Sequence, residues 1–176
     1  MIETRIIDEE HQQDINIPNQ PFSLWGRMIV SRQDEQWGCT VEKFAPEAVG
    51  EMCVPDENYD FTQMSENSTF IGAYDGEKCV GLAIMQEGFL KYMYLYDLKV
   101  DQNCRGQGIG AALLEKAKEV ARSKNYRGIY TQGQDNNLSA CLFYLKQGFH
   151  IGGLDTDVYK GTSQEGKSDI LFYQDI

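Results

Sequence analysis

Apolar positions recur every three or four residues along two stretches of the chain and alternate or cluster in short runs elsewhere, which separates two helices from a set of strands. In residues 109–123, Ile109, Leu113, Ala117 and Val120 fall at helical spacing with Leu114 alongside, and Asn125 and Gly128 close the helix they predict. In residues 137–148, Leu138, Cys141, Leu142 and Leu145 form one apolar stripe, whereas Asn137, Ala140 and Tyr144 are expected on another face. Residues 68–89 read as a β-hairpin turning at Asp75-Gly76, with a mostly buried return strand over 79–86. Residues 22–44 alternate, turn through 32–36 and return as a second hairpin. Strands are also expected over 3–8, 92–100, 129–134, 149–154 and 170–173. Residues 45–63, with Pro46, Pro55 and several acids, read as loop or short helices, and the segment holding Pro18 and Pro21 interrupts regular structure. The order strands, helix, strand, helix, strands predicts one domain over residues 1–176, of mixed α/β class.

Composition narrows what such a domain binds. With 176 residues and 41% apolar content the chain can bury a core, and its net charge of −11 argues against nucleic acid, whose phosphates demand a basic surface. The same charge favours a cationic small-molecule partner, although it also serves plain solubility. No apolar run approaches bilayer length and the opening residues are charged, so neither a membrane nor a secretion signal is expected, and the reading is cytoplasmic. Five scattered cysteines suit a reducing compartment without bridges.

The candidate chemistry lies in residues 95–114, where an apolar strand runs through a polar turn into a glycine-rich loop and then into the first helix. Gly106, Gly108 and Gly110 let the backbone amides from Arg105 through Gln107 and Ile109 to Ala111 converge at the helix N-terminus, and Arg105 adds a forked cation; a pyrophosphate suits that cradle. A P-loop would continue with Lys-Ser or Lys-Thr, but Gly110-Ala111-Ala112 follows instead. A dinucleotide fingerprint would want an acid about 20 positions on, and the nearest suitable one, Asp135, lies farther along. The two histidines, His11 and His150, have no nucleophile signature beside them, and no metal site is expected; His150 reads as a structural histidine on a strand. What remains is a cofactor that arrives activated, attacked directly by an amine.

The pattern Arg105-x-x-Gly108-x-Gly110 resembles the pyrophosphate-binding motif of the GNAT acetyltransferases, and Asn137-x-x-Ala140-x-x-x-Tyr144-x-x-x-Gly148-Phe149 resembles that family's second signature. The stretches 95–100, 134–144 and above all 153–162 (GLDTDVYKGT) are similar to the streptothricin (nourseothricin) acetyltransferases, and the similarity covers most of the chain. The resemblance implies the GNAT acyl-CoA N-acyltransferase fold, a mixed, mostly antiparallel sheet flanked by helices. It implies acetyl-CoA as co-substrate and the β-lysine amine of streptothricin as acceptor, giving antibiotic resistance. It leaves room for a homodimer, for another cationic amine (a polyamine, an aminoglycoside or a protein lysine) and for a non-catalytic acyl-CoA-binding module. Carried over by position, Tyr144 would protonate the departing sulfur. Leu98 and Val100 would offer backbone groups to the cofactor, with Arg105, Gly106, Gln107, Gly108, Ile109, Gly110, Ala111, Asn137 and Ala140. Asp97 would hold and deprotonate the acceptor, and Asp155 and Tyr159, which flank Thr156, would bind it. Where relatives often carry Glu before the strand Asp, this chain has Tyr96.

Overall fold

The computed structural model describes residues 2–176. In chain order its strands are β1 (Ile2–Ile6), β2 (Phe22–Leu24), β3 (Gly26–Gln33), β4 (Gln36–Lys43), β5 (Gly50–Met52), β6 (Ser68–Asp75), β7 (Lys78–Gln86), β8 (Tyr92–Val100), β9 (Gly128–Gln134), β10 (His150–Asp155) and β11 (Asp169–Asp175). The α-helices are α1 (Phe61–Met64), α2 (Ile109–Ser123) and α3 (Leu138–Lys146), and 3-10 turns cover Glu9–Asn16, Pro46–Ala48 and Gln102–Cys104. The residues gather into two compact units. One takes the chain up to Gln20, Val54–Ile129 and the last two residues; the other takes Pro21–Cys53 and Tyr130–Gln174.

In the first unit the strands lie in the order β1-β6-β7-β8, every neighbouring pair antiparallel. Alternation along β6 and β7 gives this sheet two faces. Gly81 faces α2, close enough that a Cβ there would stand 3.0 Å from Leu113 and 3.1 Å from Ile109. Phe70, Leu82 and Ile84 face the other way and form an apolar cluster with Ile7 and Ile15, against which Ile17, Tyr59, Phe61 and Met64 pack. Truncating Leu82 or Ile84, both fully buried, to Ala would cost about 2–5 kcal/mol. Ile84 pairs with Asp97 and Met85 with Leu95, which leaves Tyr96 as the extra residue of a β-bulge in β8.

In the second unit β9, β11 and β10 are neighbours in that order, with β10 antiparallel to β11. The β3–β4 hairpin turns at Asp34 and Glu35, both in the left-handed region, and no glycine is used. Two expectations change here. Phe22–Leu24 does not join that hairpin: it pairs with β5, a strand in the segment read as loop or short helices. The hairpin begins at Gly26, where a Cβ would lie 2.5 Å from the Glu42 carbonyl oxygen, and β2 ends at Leu24 beside Gly50. The hairpin is latched to the start of α3: the Met28 N–H donates to the Asp135 carbonyl at 2.9 Å and Trp25 Nε1 donates to Ser139 Oγ at 2.8 Å.

His150 lies on a strand, as its sequence setting indicates: it opens β10 as an exposed side chain stacked on Tyr173. All five cysteines are free thiols; burial pushes Cys79 up to about 11 and Cys141 up to about 12, which disfavours the thiolate form of both.

Candidate active site

The loop leading into α2 takes its shape from two glycines. Gly106 and Gly108 sit at φ +76 and +83, and a Cβ at either would meet no protein atom within 4 Å, so backbone conformation and not crowding demands glycine there. Gly108 is the N-cap of α2; no side chain caps the helix and its first turn holds no acid. The first helical bond runs from the Ala112 N–H to the Gly108 carbonyl, so the N–H groups of Ile109, Gly110 and Ala111 stand at the positive end of a 15-residue helix. These features fit a phosphate-bearing cofactor. Gly110 serves differently from the other two glycines, since it lies inside the helix. Arg105 donates from Nε to the Val100 carbonyl at 3.1 Å, which ties it to the end of β8 and occupies that carbonyl. Gln107 donates to the Asn103 carbonyl at 3.3 Å.

On β8, Asp97 and Lys99 are cross-strand partners of Ile84 and Leu82, which puts both charged side chains on the sheet face of the apolar cluster. Lys99 Nζ lies 3.1 Å from Asp97 Oδ2, 2.9 Å from Glu57 Oε2 and 3.1 Å from Asn19 Oδ1. The Tyr59 hydroxyl donates to Asp97 Oδ2 at 3.1 Å. Burial pushes the Asp97 carboxyl above its ordinary value, against the pull of Lys99. Burial works to lower the affinity of Lys99 for its proton, but Asp97 and Glu57 hold that affinity above the ordinary value. Glu57 is lowered in spite of its partial burial, by hydrogen bonds from Asn19 and Lys99. Tyr59 is raised, first by burial and then by the two carboxylates. Sequence reasoning singled out Asp97 and did not single out Lys99, Tyr59, Glu57 or Asn19, which the structure gathers beside it. Lys99 was within reach, two residues along the same strand and therefore on the same face.

In the second unit Asn137 is the N-cap of α3, its Oδ1 accepting from the Ala140 N–H at 3.3 Å. Tyr144 departs from the expected partition of faces: it is buried together with Leu138 and Cys141, at 7% exposure, while Leu142 and Leu145 are only half-buried. Its ring meets Phe149 and Phe172 at 5.4 Å and Phe143 at 5.6 Å. An aromatic cluster claimed the face that aliphatic spacing had assigned to leucines. Asp155 accepts from the N–H groups of Asp157 and Val158 at 2.9 and 3.0 Å, and the Tyr159 hydroxyl donates to Asp169 Oδ1 at 2.7 Å. Burial raises Asp135 and Asp169, the latter also through Asp155 and Asp135. Gln134 Oε1, Asp135 Oδ1 and Asn136 Oδ1 are buried acceptors with no partner in the protein. Among the described residues, no group of three His, Cys, Asp or Glu side chains is gathered to hold a metal ion.

Residues 32–149 match the model of the acetyltransferase (GNAT) family. The chain belongs to that family. This GNAT chain is 31% identical over 163 residues to streptothricin acetyltransferase A of Bacillus subtilis (strain 168), spanning 93% of the chain and 94% of the relative. It is 31% identical over 108 residues to a streptothricin acetyltransferase of Escherichia coli, spanning 61% and 62%. Among solved structures, a candidate streptothricin acetyltransferase from Bacillus anthracis str. Ames, in complex with acetyl coenzyme A, superposes with a TM-score of 0.88 at 25% identity over the whole of both chains. A nourseothricin acetyltransferase superposes at 0.80 with 21% identity over 99% and 98%, a likeness of fold. The GNAT chain is thus an acetyltransferase with the mixed α/β, mostly antiparallel fold that its two motifs imply.

Proposed function

We propose that the protein transfers acetyl from acetyl-CoA to an amino group of a streptothricin-type antibiotic, on the β-lysine arm, and so confers resistance to it. The observation that carries this reading is the 31% identity to streptothricin acetyltransferase A across 93% of the chain. Acetyl-CoA, when bound, supplies an activated thioester carbonyl. Its phosphates suit the N–H groups of Ile109 to Ala111, with Arg105, Gly106, Gln107 and Gly108 shaping that loop and the β8 backbone at Leu98 and Val100 leading to it. Asn137 and Ala140 act by fixing the start of α3 through their cap bond.

Asp97 is the acceptor-side carboxylate in this reading. An amine is protonated at neutral pH, so the site must draw in an ammonium and then take a proton from it; a carboxylate with a raised proton affinity does both. Tyr144 gives its hydroxyl proton to the leaving sulfur. Asp155 and Tyr159, the latter seated on Asp169, recognise the cationic acceptor. Thiol release from acetyl-CoA across a panel of amines tests the proposal. Rapid release with streptothricin, and slow release with polyamines, aminoglycosides and lysine peptides, is the expected result. Release with one of the others alone would reassign the acceptor, and none with any amine would leave a binding module.

A further inference from the structure

We propose that Lys99 is a positioning residue that sets the proton affinity of Asp97, and that Glu57 tunes it by taking a share of the lysine's charge. This rests on the reading of Asp97 as the acceptor-side carboxylate. Asp97 stands on the same sheet face as Leu82 and Ile84, whose surroundings are apolar. A carboxylate there, without a cation, would hold its proton more tightly and be less able to attract an ammonium and accept its proton. Lys99 supplies the cation at 3.1 Å.

The ammonium has three N–H donors, and three separate acceptors meet it: Asp97, Glu57 and Asn19. Its side chain is 12% exposed, so solvent screens these contacts weakly. The division of the charge has a consequence. A lysine devoted to Asp97 alone would turn it into a spent ion pair with little appetite for a proton. Glu57 draws part of that charge away and adds its own repulsion, which leaves Asp97 ionised but still basic. The Tyr59 hydroxyl, the other group facing Asp97, donates to it and is too weak an acid to compete for the proton.

The two neighbours therefore act in opposite directions. Removing Lys99 makes Asp97 harder to ionise, and removing the charge of Glu57 makes it easier. The test is the pH profile of kcat/KM for the acceptor in the wild type and in Asp97→Asn, Lys99→Met, Lys99→Arg and Glu57→Gln, each checked for folding by its thermal shift with acetyl-CoA. Asp97→Asn should abolish the acid limb. Lys99→Met should move the limb to higher pH, losing about tenfold at pH 6 relative to its own value at pH 9. Lys99→Arg should restore it partly, because a planar fork keeps the charge but not the three-way geometry. Glu57→Gln should move the limb to lower pH. A Lys99→Met or Glu57→Gln profile that keeps the wild-type limb, or a pair that shifts in the same direction, overturns the proposal while Asp97→Asn still removes the limb. An Asp97→Asn enzyme with the limb intact overturns the reading beneath it instead. Should Lys99→Met fail to fold, the downward shift in Glu57→Gln and a small upward shift in Lys99→Arg, each against the wild type, decide alone.

Discussion

Tyr144 packs in an aromatic cluster and, in the proposed reading, also serves the leaving sulfur, and a single substitution can separate the two. Its ring fills a cluster with Phe143, Phe149 and Phe172, and phenylalanine keeps that packing while deleting the oxygen. Tyr144→Phe should leave the melting temperature and acetyl-CoA affinity nearly unchanged and lower kcat by about 10 to 10³-fold, read from steady-state kinetics. Unchanged turnover would leave it a packing residue. Asp169 shows the opposite balance, because its buried carboxyl is raised by desolvation and by Asp155 and Asp135. A carboxyl raised in the folded state favours folding at low pH and loses that contribution as pH climbs through the raised value. Asp169→Asn should therefore stabilise the protein at neutral pH, each kcal/mol appearing as about 2–4 °C in a chain of this size. That gain should vanish in melts below the ordinary carboxylate range. If Tyr159 needs this partner to hold the acceptor, the more stable variant will show a raised acceptor KM.

Among elements, the turn into α2 allows conformation and binding to be tested apart. Gly108 and Gly76 both take positive φ, +83 and +60, and a Cβ added at either would have no protein atom within 4 Å; only Gly108 caps a helix. An alanine at either should cost a similar ~1–2 kcal/mol in thermal melts. Only Gly108→Ala should also lose the stabilisation that acetyl-CoA confers, because its methyl projects at the helix N-terminus. An equal acetyl-CoA shift in both variants would remove this turn from the binding site. The spacing that identified this turn also located α2 and β8 to the residue, since a long apolar period and a dedicated glycine cap are local signals. β5 could not be read that way: its three residues are a strand only because Phe22–Leu24 lies beside them, a pairing set by distant chain. Asp97 and Lys99 share one strand and could be read together from it, but the groups that complete their cluster come from residues 19, 57 and 59, in chain that packs on the apolar cluster through Tyr59 and Phe61. Among the acids of residues 45–63, Glu57 meets the chain's own Lys99.

At the scale of the whole molecule, the net charge of −11 treats the two proposed substrates oppositely. A polycationic acceptor approaches down a favourable potential, and an anionic cofactor approaches against one, relieved only locally by Arg105 and the N-terminus of α2. Added salt shortens the reach of both fields, to about 8 Å at physiological ionic strength and about 3 Å at 1 M. The kcat/KM for streptothricin should accordingly fall as salt rises. The value for acetyl-CoA should stay level or rise, because screening removes a long-range repulsion while the short contacts at the helix terminus are screened less. A monocationic amine with the same reacting group should show a much smaller fall, which separates steering from any effect of salt on the fold. If Asp155 lies on the acceptor side as proposed, Asp155→Asn should flatten the streptothricin slope and act mostly on KM; the carboxylate already accepts from two backbone N–H groups. Kinetics for the three substrates from low to high salt, in wild type and Asp155→Asn, decide the matter. Parallel slopes for cation and anion would mean that the acidic surface serves solubility and takes no part in choosing the acceptor.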